Sequence, residues 1–118
     1  MNAIKRLKIA FLWTDLANIL NKSRSLEEIA MNESIIIGKY RLSIQAGIHA
    51  YCHPRINYED MDMYSSVEIA IIRNKFISLS DLGFHKALSY ENGDIYCFVP
   101  VELATEIYSY LLEYCSKG

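Results

Sequence analysis

The segment His49-Ala-Tyr-Cys-His53-Pro-Arg55 holds the densest group of side chains that could bind a ligand or react with one. Side chains alternate along a β-strand, so the two histidines and the tyrosine would share one face and the cysteine would lie on the other. We expect Arg41 and Gln45, with Glu68 from the neighbouring strand, to extend this face, which could then bind a nucleotide or another anion. The alternative is the solvated outer face of an antiparallel sheet, which carries no function.

Zinc binding and nucleophilic catalysis are both disfavoured by the same alternation. Cys52 would point away from His49 and His53, so these three residues could not bind one metal ion together. The Cys52 thiol and the His53 imidazole would also be too far apart for the histidine to activate the cysteine. The sequence also has no Gly-rich phosphate loop and no hydrolase or metalloprotease motif. We therefore predict no metal, no cofactor and no catalysis, with a small nucleotide-directed enzyme kept as an alternative.

An acidic loop over residues 55–64 follows, and tyrosines flank it. Tyrosine offers a large contact area at low entropic cost and is enriched at protein interfaces. We predict that this loop, with Tyr51 at the end of the preceding strand, binds a protein partner; the alternative is that the tyrosines only cover the edge of the core. The loop residues assigned to this surface are Tyr58, Glu59, Asp60, Asp62 and Tyr64.

The composition indicates one ordinary globular domain, residues 1–118. The chain is 52% hydrophobic, which is enough for a core without disulfides, and its net charge of −2 lacks the positive surplus that nucleic-acid binding needs. The three cysteines form no CxxC pair and are expected to be reduced, which favours the cytoplasm. The apolar run near the N-terminus is too short for a membrane span.

The hydrophobic periodicity predicts an α+β fold. Strands gathered between terminal helices indicate an antiparallel β-meander of five to six strands, with the N-terminal and C-terminal helices packed on one face. The predicted elements are a helix over 3–20 with an apolar stripe at Ile4, Leu7, Ile9, Phe11, Leu12, Leu16, Ile19 and Leu20, a capping-box helix over 26–31, strands over 34–37, 40–52, 64–73, 76–79, 86–90 and 94–99, and a helix over 101–115.

Two local signals support this plan. Asn92-Gly93 is the preferred pair for a type I′ hairpin turn, and Pro100 suits the start of the last helix. That helix is apolar nearly all round, so its second face should be covered by the first helix or by another copy of the chain. We favour a homodimer through this helix.

Three short runs carry a family resemblance: Tyr51-Cys-His-Pro-Arg55, Tyr64-Ser-Ser-Val-Glu68 and Val99-Pro-Val-Glu102. In them the chain resembles small accessory proteins of phages and mobile elements, a group that includes anti-CRISPR, other counter-defence and immunity proteins. The resemblance implies stoichiometric inhibition of a host protein or ribonucleoprotein complex, such as a host defence complex. The second expectation is sequestration of a small ligand by Arg41, His49, Tyr51, His53 and Arg55.

Overall fold

A computed structural model describes the backbone of residues 2–117 and the side chains of residues 13–116. Over this range two α-helices enclose the strands in chain order, and three short 3₁₀ turns cover 61–63, 79–82 and 88–90. The elements are α1 (Asn2–Ser23), β1 (Ile35–Ile37), β2 (Tyr40–Gln45), β3 (Ser66–Arg73), β4 (Lys75–Phe76), β5 (Glu91–Asn92), β6 (Ile95–Pro100) and α2 (Val101–Lys117).

The strands form one antiparallel sheet, and the predicted α+β fold with a helix at each end of the chain is confirmed. The strand order is β1-β2-β3-β6-β5, and the short β4 also pairs with β3. Central strand β3 therefore lies between β2 and β6. Its register with β2 places Leu42 opposite Ile71 and Ile44 opposite Ile69.

The core lies between one face of the sheet and the two helices. Alternate residues of β2 and β3 are fully buried, as period-two patterning requires, and α1 and α2 contact each other. The sequence left open whether the first helix or another copy of the chain covers the second apolar face of α2. The contact with α1 covers part of α2. The principal core side chains are Trp13, Leu16, Leu20, Leu42, Ile44, Val67, Ile69, Ile71, Ile107 and Leu111.

The stripe predicted for α1 is confirmed in part. Leu16 and Leu20 are buried, whereas Ile19 is exposed, so its assignment to the stripe was wrong. The remaining predicted members, Ile4, Leu7, Ile9, Phe11 and Leu12, lie outside the described side chains. No helix among the described residues has the length and apolar content to cross a membrane.

The predicted helix over 26–31 is wrong. Ser25 and Met31 exchange two backbone hydrogen bonds of 2.9 Å, which close the segment between them into a loop of bends. The Ser25 hydroxyl approaches the Glu27 amide at 3.5 Å, the limit of a hydrogen bond. The capping-box pattern is therefore used in a turn rather than at a helix start.

Strand β2 ends at Gln45, so the prediction of one strand from Tyr40 to Cys52 is wrong. A turn begins at Gly47, whose backbone φ of +149° is a value that residues other than glycine rarely adopt. On a continuous strand Ile48 would share the buried face with Leu42 and Ile44, whereas in this turn it is exposed. Alternation holds only as far as the backbone stays extended.

Two predicted strands are shorter than expected. Residues 86–90 form turns rather than a strand, and the arm predicted over 76–79 is confined to β4. The hairpin at Asn92-Gly93 is confirmed, but Asn92 pairs with Ile95, so Gly93 and Asp94 are its turn residues. Only Gly93 of these two has a positive φ, whereas a type I′ turn needs both.

Candidate functional site

A β-bulge in β6 is the most unusual feature of the sheet. Val67 pairs with Val99 and Ile69 pairs with Tyr96, so the single residue between them, Glu68, faces the two residues 97 and 98. Bulges of this kind bend a strand and redirect side chains, and they are common beside binding sites. Here the extra residue places a phenylalanine at the surface.

Phe98 occupies this bulge in a left-handed conformation, with a φ of +54°. For a bulky L-residue this conformation costs roughly 1–2 kcal/mol, and glycine or asparagine is the usual occupant. The Phe98 side chain remains 46% exposed, so core burial does not offset the cost. Backbone strain that is not offset by core packing is characteristic of functional positions.

Phe98 belongs to a surface group that we call the aromatic patch, defined as Ile48, Tyr51, Arg55 and Phe98. The rings of Tyr51 and Phe98 meet edge to face, with centroids 6.0 Å apart. The Arg55 guanidinium lies 5.4 Å from the Tyr51 ring centroid and donates to the Ile48 carbonyl at 3.3 Å. Ile48 is 48% exposed and Tyr51 is 44% exposed, so the patch presents apolar surface around one cation.

Hydrogen bonds made by backbone amides hold the patch against β3 and β6. The Phe98 amide donates to the Tyr51 carbonyl at 2.9 Å, and the Tyr51 amide donates to a carboxylate oxygen of Glu68 at 3.0 Å. His53 forms an antiparallel bridge with Ser66 at the start of β3. Tyr51 and His53 are thus both fixed to the sheet.

The structure brings Tyr51 into contact with Glu68, which was predicted to extend its strand face, and with Arg55, which was assigned to the same ligand site. His49 and His53 are both exposed, but they lie in the turn and the bridge rather than on one strand. Arg41 is at the far end of β2, opposite Ile72 of β3. Four residues of extended chain, about 13 Å, separate it from the level of Glu68, so the predicted joint anion site is not formed.

Tyr64 was assigned to a partner surface, and this is wrong because the side chain is only 2% exposed. Its hydroxyl donates to the Ile56 carbonyl and accepts from the Tyr58 amide at 2.9 Å. The half-buried Tyr58 packs on it, with ring centroids 5.3 Å apart. These two tyrosines fix the acidic loop from inside, which is the alternative that the sequence left open.

Asp60 fastens the same loop to α1. Its Oδ1 accepts from the Asn21 amide group at 2.8 Å and from the Asp62 backbone amide at 2.9 Å, where it caps the 3₁₀ turn. The Asp62 amide, followed by Asn21, lowers the pKa of the Asp60 carboxyl, because both donors favour the charged form. Glu59 and Asp62 remain exposed on the loop surface.

Cys52 is fully buried and is unsuited to nucleophilic chemistry. Burial raises the pKa of its thiol, and the sulfur accepts from the Gly47 amide at 3.2 Å. Burial and the nearby Glu68 carboxylate also raise the pKa of Cys97. Within the described residues no group of three His, Cys, Asp or Glu side chains could hold a metal ion.

Comparison with known protein families, curated proteins and solved structures found no match to this chain. The fold and the aromatic patch therefore carry the functional argument. Sequence reasoning missed Phe98, because it lies in a run of residues that reads as an ordinary strand. The residues from Ile95 to Val99 are all apolar or aromatic, so the sequence gave no signal of the bulge or of the exposed ring.

Proposed function

We propose that this chain is a non-enzymatic protein-binding domain that uses the aromatic patch to occupy a surface of a protein partner. The observation that carries the proposal is Phe98, a strained and half-exposed side chain. The strain is explained if the ring is needed outside the fold, in contact with another molecule.

The composition of the patch supports this function. Tyrosine, phenylalanine and arginine are enriched at protein interfaces, and tyrosine and arginine dominate their binding energy. Tyr51 and Phe98 supply the apolar centre, whereas Arg55 and the exposed His49 and His53 supply a polar rim. The complementary partner surface is an apolar pocket bordered by hydrogen-bond acceptors.

Binding without turnover gives a stoichiometric inhibitor, which agrees with the resemblance to phage and mobile-element accessory proteins. The target would be a host protein or a ribonucleoprotein complex in the cytoplasm, where the free cysteines Cys52, Cys97 and Cys115 stay reduced. The buried thiol of Cys52, with its raised pKa, favours this proposal over nucleophilic catalysis.

Replacing Phe98 by glycine separates recognition from folding. Glycine relieves the left-handed strain and loses only a half-exposed ring, so we expect the free energy of unfolding to stay within about 1 kcal/mol of the wild type. Capture of the partner from a lysate of the native host should fall at least tenfold, about 1.4 kcal/mol. Urea denaturation and quantitative mass spectrometry of captured proteins measure the two effects.

The matched control is Phe76→Gly, since Phe76 is 47% exposed but lies on β4, outside the patch. It should retain capture. Equal capture by wild type and Phe98→Gly would refute recognition through the patch. A loss of more than about 2 kcal/mol in Phe98→Gly would instead show that the ring belongs to the folded core.

A further inference from the structure

A separate cavity of about 370 Å³ lies at the other end of the sheet. It opens between the β1–β2 turn, the last residue of β3 and the final turns of α2, and its volume falls in the range of small-molecule sites. Its lining residues are Gly38, Lys39, Tyr40, Arg73, Tyr114 and Cys115.

The cavity is positively charged. Lys39 and Arg73 line it, and none of its lining residues is acidic. Among the described residues, the ion pair between Lys86 and Glu106 lies away from this cavity and involves neither cation. The C-terminal end of α2 contributes roughly half a negative charge, which two full positive charges outweigh. An anionic group is therefore the expected ligand at this end of the cavity.

Arg73 is held in place by an aromatic neighbour. Its guanidinium carbon lies 5.4 Å from the Tyr40 ring centroid, and Nη1 donates to the Tyr40 hydroxyl at 3.3 Å. Tyr40 itself is buried, so the guanidinium rests on a fixed surface and keeps further donors for a ligand. A preorganised guanidinium suits a phosphate or carboxylate, which it can bind with two parallel hydrogen bonds.

Tyr114 supplies an open ring beside these cations. It is 41% exposed, meets Tyr40 edge to face at 6.3 Å, and is stacked on Tyr110 at 6.1 Å. Contacts with two other tyrosines restrict the rotation of this ring, so a flat ligand can stack on it at low entropic cost. The cavity thus combines a stacking surface with an anion-binding arginine.

The floor of the cavity is closely packed. Gly38 has a φ of +59°, and a Cβ atom added there would lie 3.3 Å from the Cys115 sulfur. The Cys115 thiol donates to the Ile37 carbonyl at 3.5 Å, which joins the turn to α2. The walls are therefore held together by the fold before any ligand arrives.

We propose that this cavity binds a planar aromatic anion of the size of a nucleoside monophosphate. The phosphate would contact Arg73 and Lys39, and the base would stack on Tyr114. The site is independent of the aromatic patch and of the function proposed for it. It also replaces the anion site predicted around Arg41, because the cations that converge are Lys39 and Arg73.

Calorimetric titration with adenosine 5′-monophosphate tests the site, with adenosine and inorganic phosphate as partial ligands. We expect the nucleotide to bind at least tenfold more tightly than either, since each lacks one of the two contacts. Arg73→Gln should weaken nucleotide binding at least tenfold through loss of the charged hydrogen bonds, and Tyr114→Ala should weaken it severalfold.

Arg41→Gln is the matched control. Arg41 follows Tyr40 in β2, is exposed, and points to the opposite face of the sheet. The affinity of this variant for adenosine 5′-monophosphate should equal that of the wild type. Absence of nucleotide binding, equal affinity in Arg73→Gln, or inorganic phosphate binding as tightly as the nucleotide would each overturn the proposal. Thermal unfolding of every variant verifies that a lost affinity does not reflect an unfolded chain.

Discussion

Replacing Arg24 by methionine should lower the free energy of unfolding by about 3 kcal/mol, because one guanidinium makes four hydrogen bonds to three other segments of the chain. It donates to the Tyr58 carbonyl at 2.8 Å, the Ala46 carbonyl at 2.9 Å, the Tyr64 hydroxyl at 3.0 Å and the Asn32 side chain at 3.2 Å. Methionine keeps the apolar stem but removes every donor. Partial exposure lets water replace some of the lost bonds, which limits the effect.

The control is Arg55→Met, because Arg55 lies on an aromatic ring at the surface of the protein. Arg55 contacts the Tyr51 ring at 5.4 Å and makes one hydrogen bond of 3.3 Å to the Ile48 carbonyl. Its replacement should cost less than about 1 kcal/mol. Urea denaturation measures both variants, and similar losses in the two would contradict the role of Arg24 as the central donor.

Gly47→Ala should also destabilise the fold by about 3 kcal/mol. The residue has a φ of +149°, and an added Cβ would lie 2.7 Å from both the Ala30 Cβ and the Asn57 Oδ1. Strain and overpacking therefore act together. The same glycine contacts the Cys52 sulfur through its amide, so the change also disturbs the turn that carries the aromatic patch.

Gly93→Ala is the matched comparison in a hairpin turn. Gly93 has a φ of +64°, but a Cβ added there meets no atom within 4 Å. Only the backbone penalty applies, about 1 kcal/mol or less once the lower entropy of the unfolded alanine chain is counted. If thermal or urea unfolding gives the two variants equal losses, close packing at Gly47 is not the cause.

The sheet core and the last helix were predictable because their signals are periodic. Leu42 and Ile44 alternate with polar residues, and Ile107 and Leu111 recur at helical spacing; all four are fully buried. Pro100 marks the boundary between β6 and α2 as expected. Periodicity succeeds here because each pattern is repeated over a whole element.

The site was harder to predict because it depends on single backbone conformations. Gly47 ends β2 early and removes His49, Tyr51 and His53 from a common strand face. Alternation alone could not reveal this, since buried and exposed residues continue to alternate from Ala50 to His53 while the strand does not. The position of Tyr51 depends on its amide donating to the Glu68 carboxylate and on its carbonyl accepting from the Phe98 amide, and both partners are distant in sequence.

The acidic loop shows a second limit of sequence reasoning. Asp60 and Tyr64 look like surface residues by type, yet tertiary hydrogen bonds to Asn21 and Arg24 give them structural roles. These partners lie about forty residues away in the chain, 39 for Asp60 and 40 for Tyr64. The type of a residue predicts which hydrogen bonds its side chain can make. Whether the residue stabilises the fold or binds a partner depends on the groups that lie next to it in the folded structure.

Photo-crosslinking at position 98 tests recognition through the aromatic patch most directly. With p-benzoyl-L-phenylalanine at that position, irradiation in cells of the native host should give an adduct with a distinct host polypeptide, and excess wild-type chain should suppress it while Phe98→Gly should not. The same photoreactive residue at position 76, the other exposed phenylalanine among the described side chains, should give no such adduct. No adduct at position 98, or the same adduct at both positions, would contradict the proposed function.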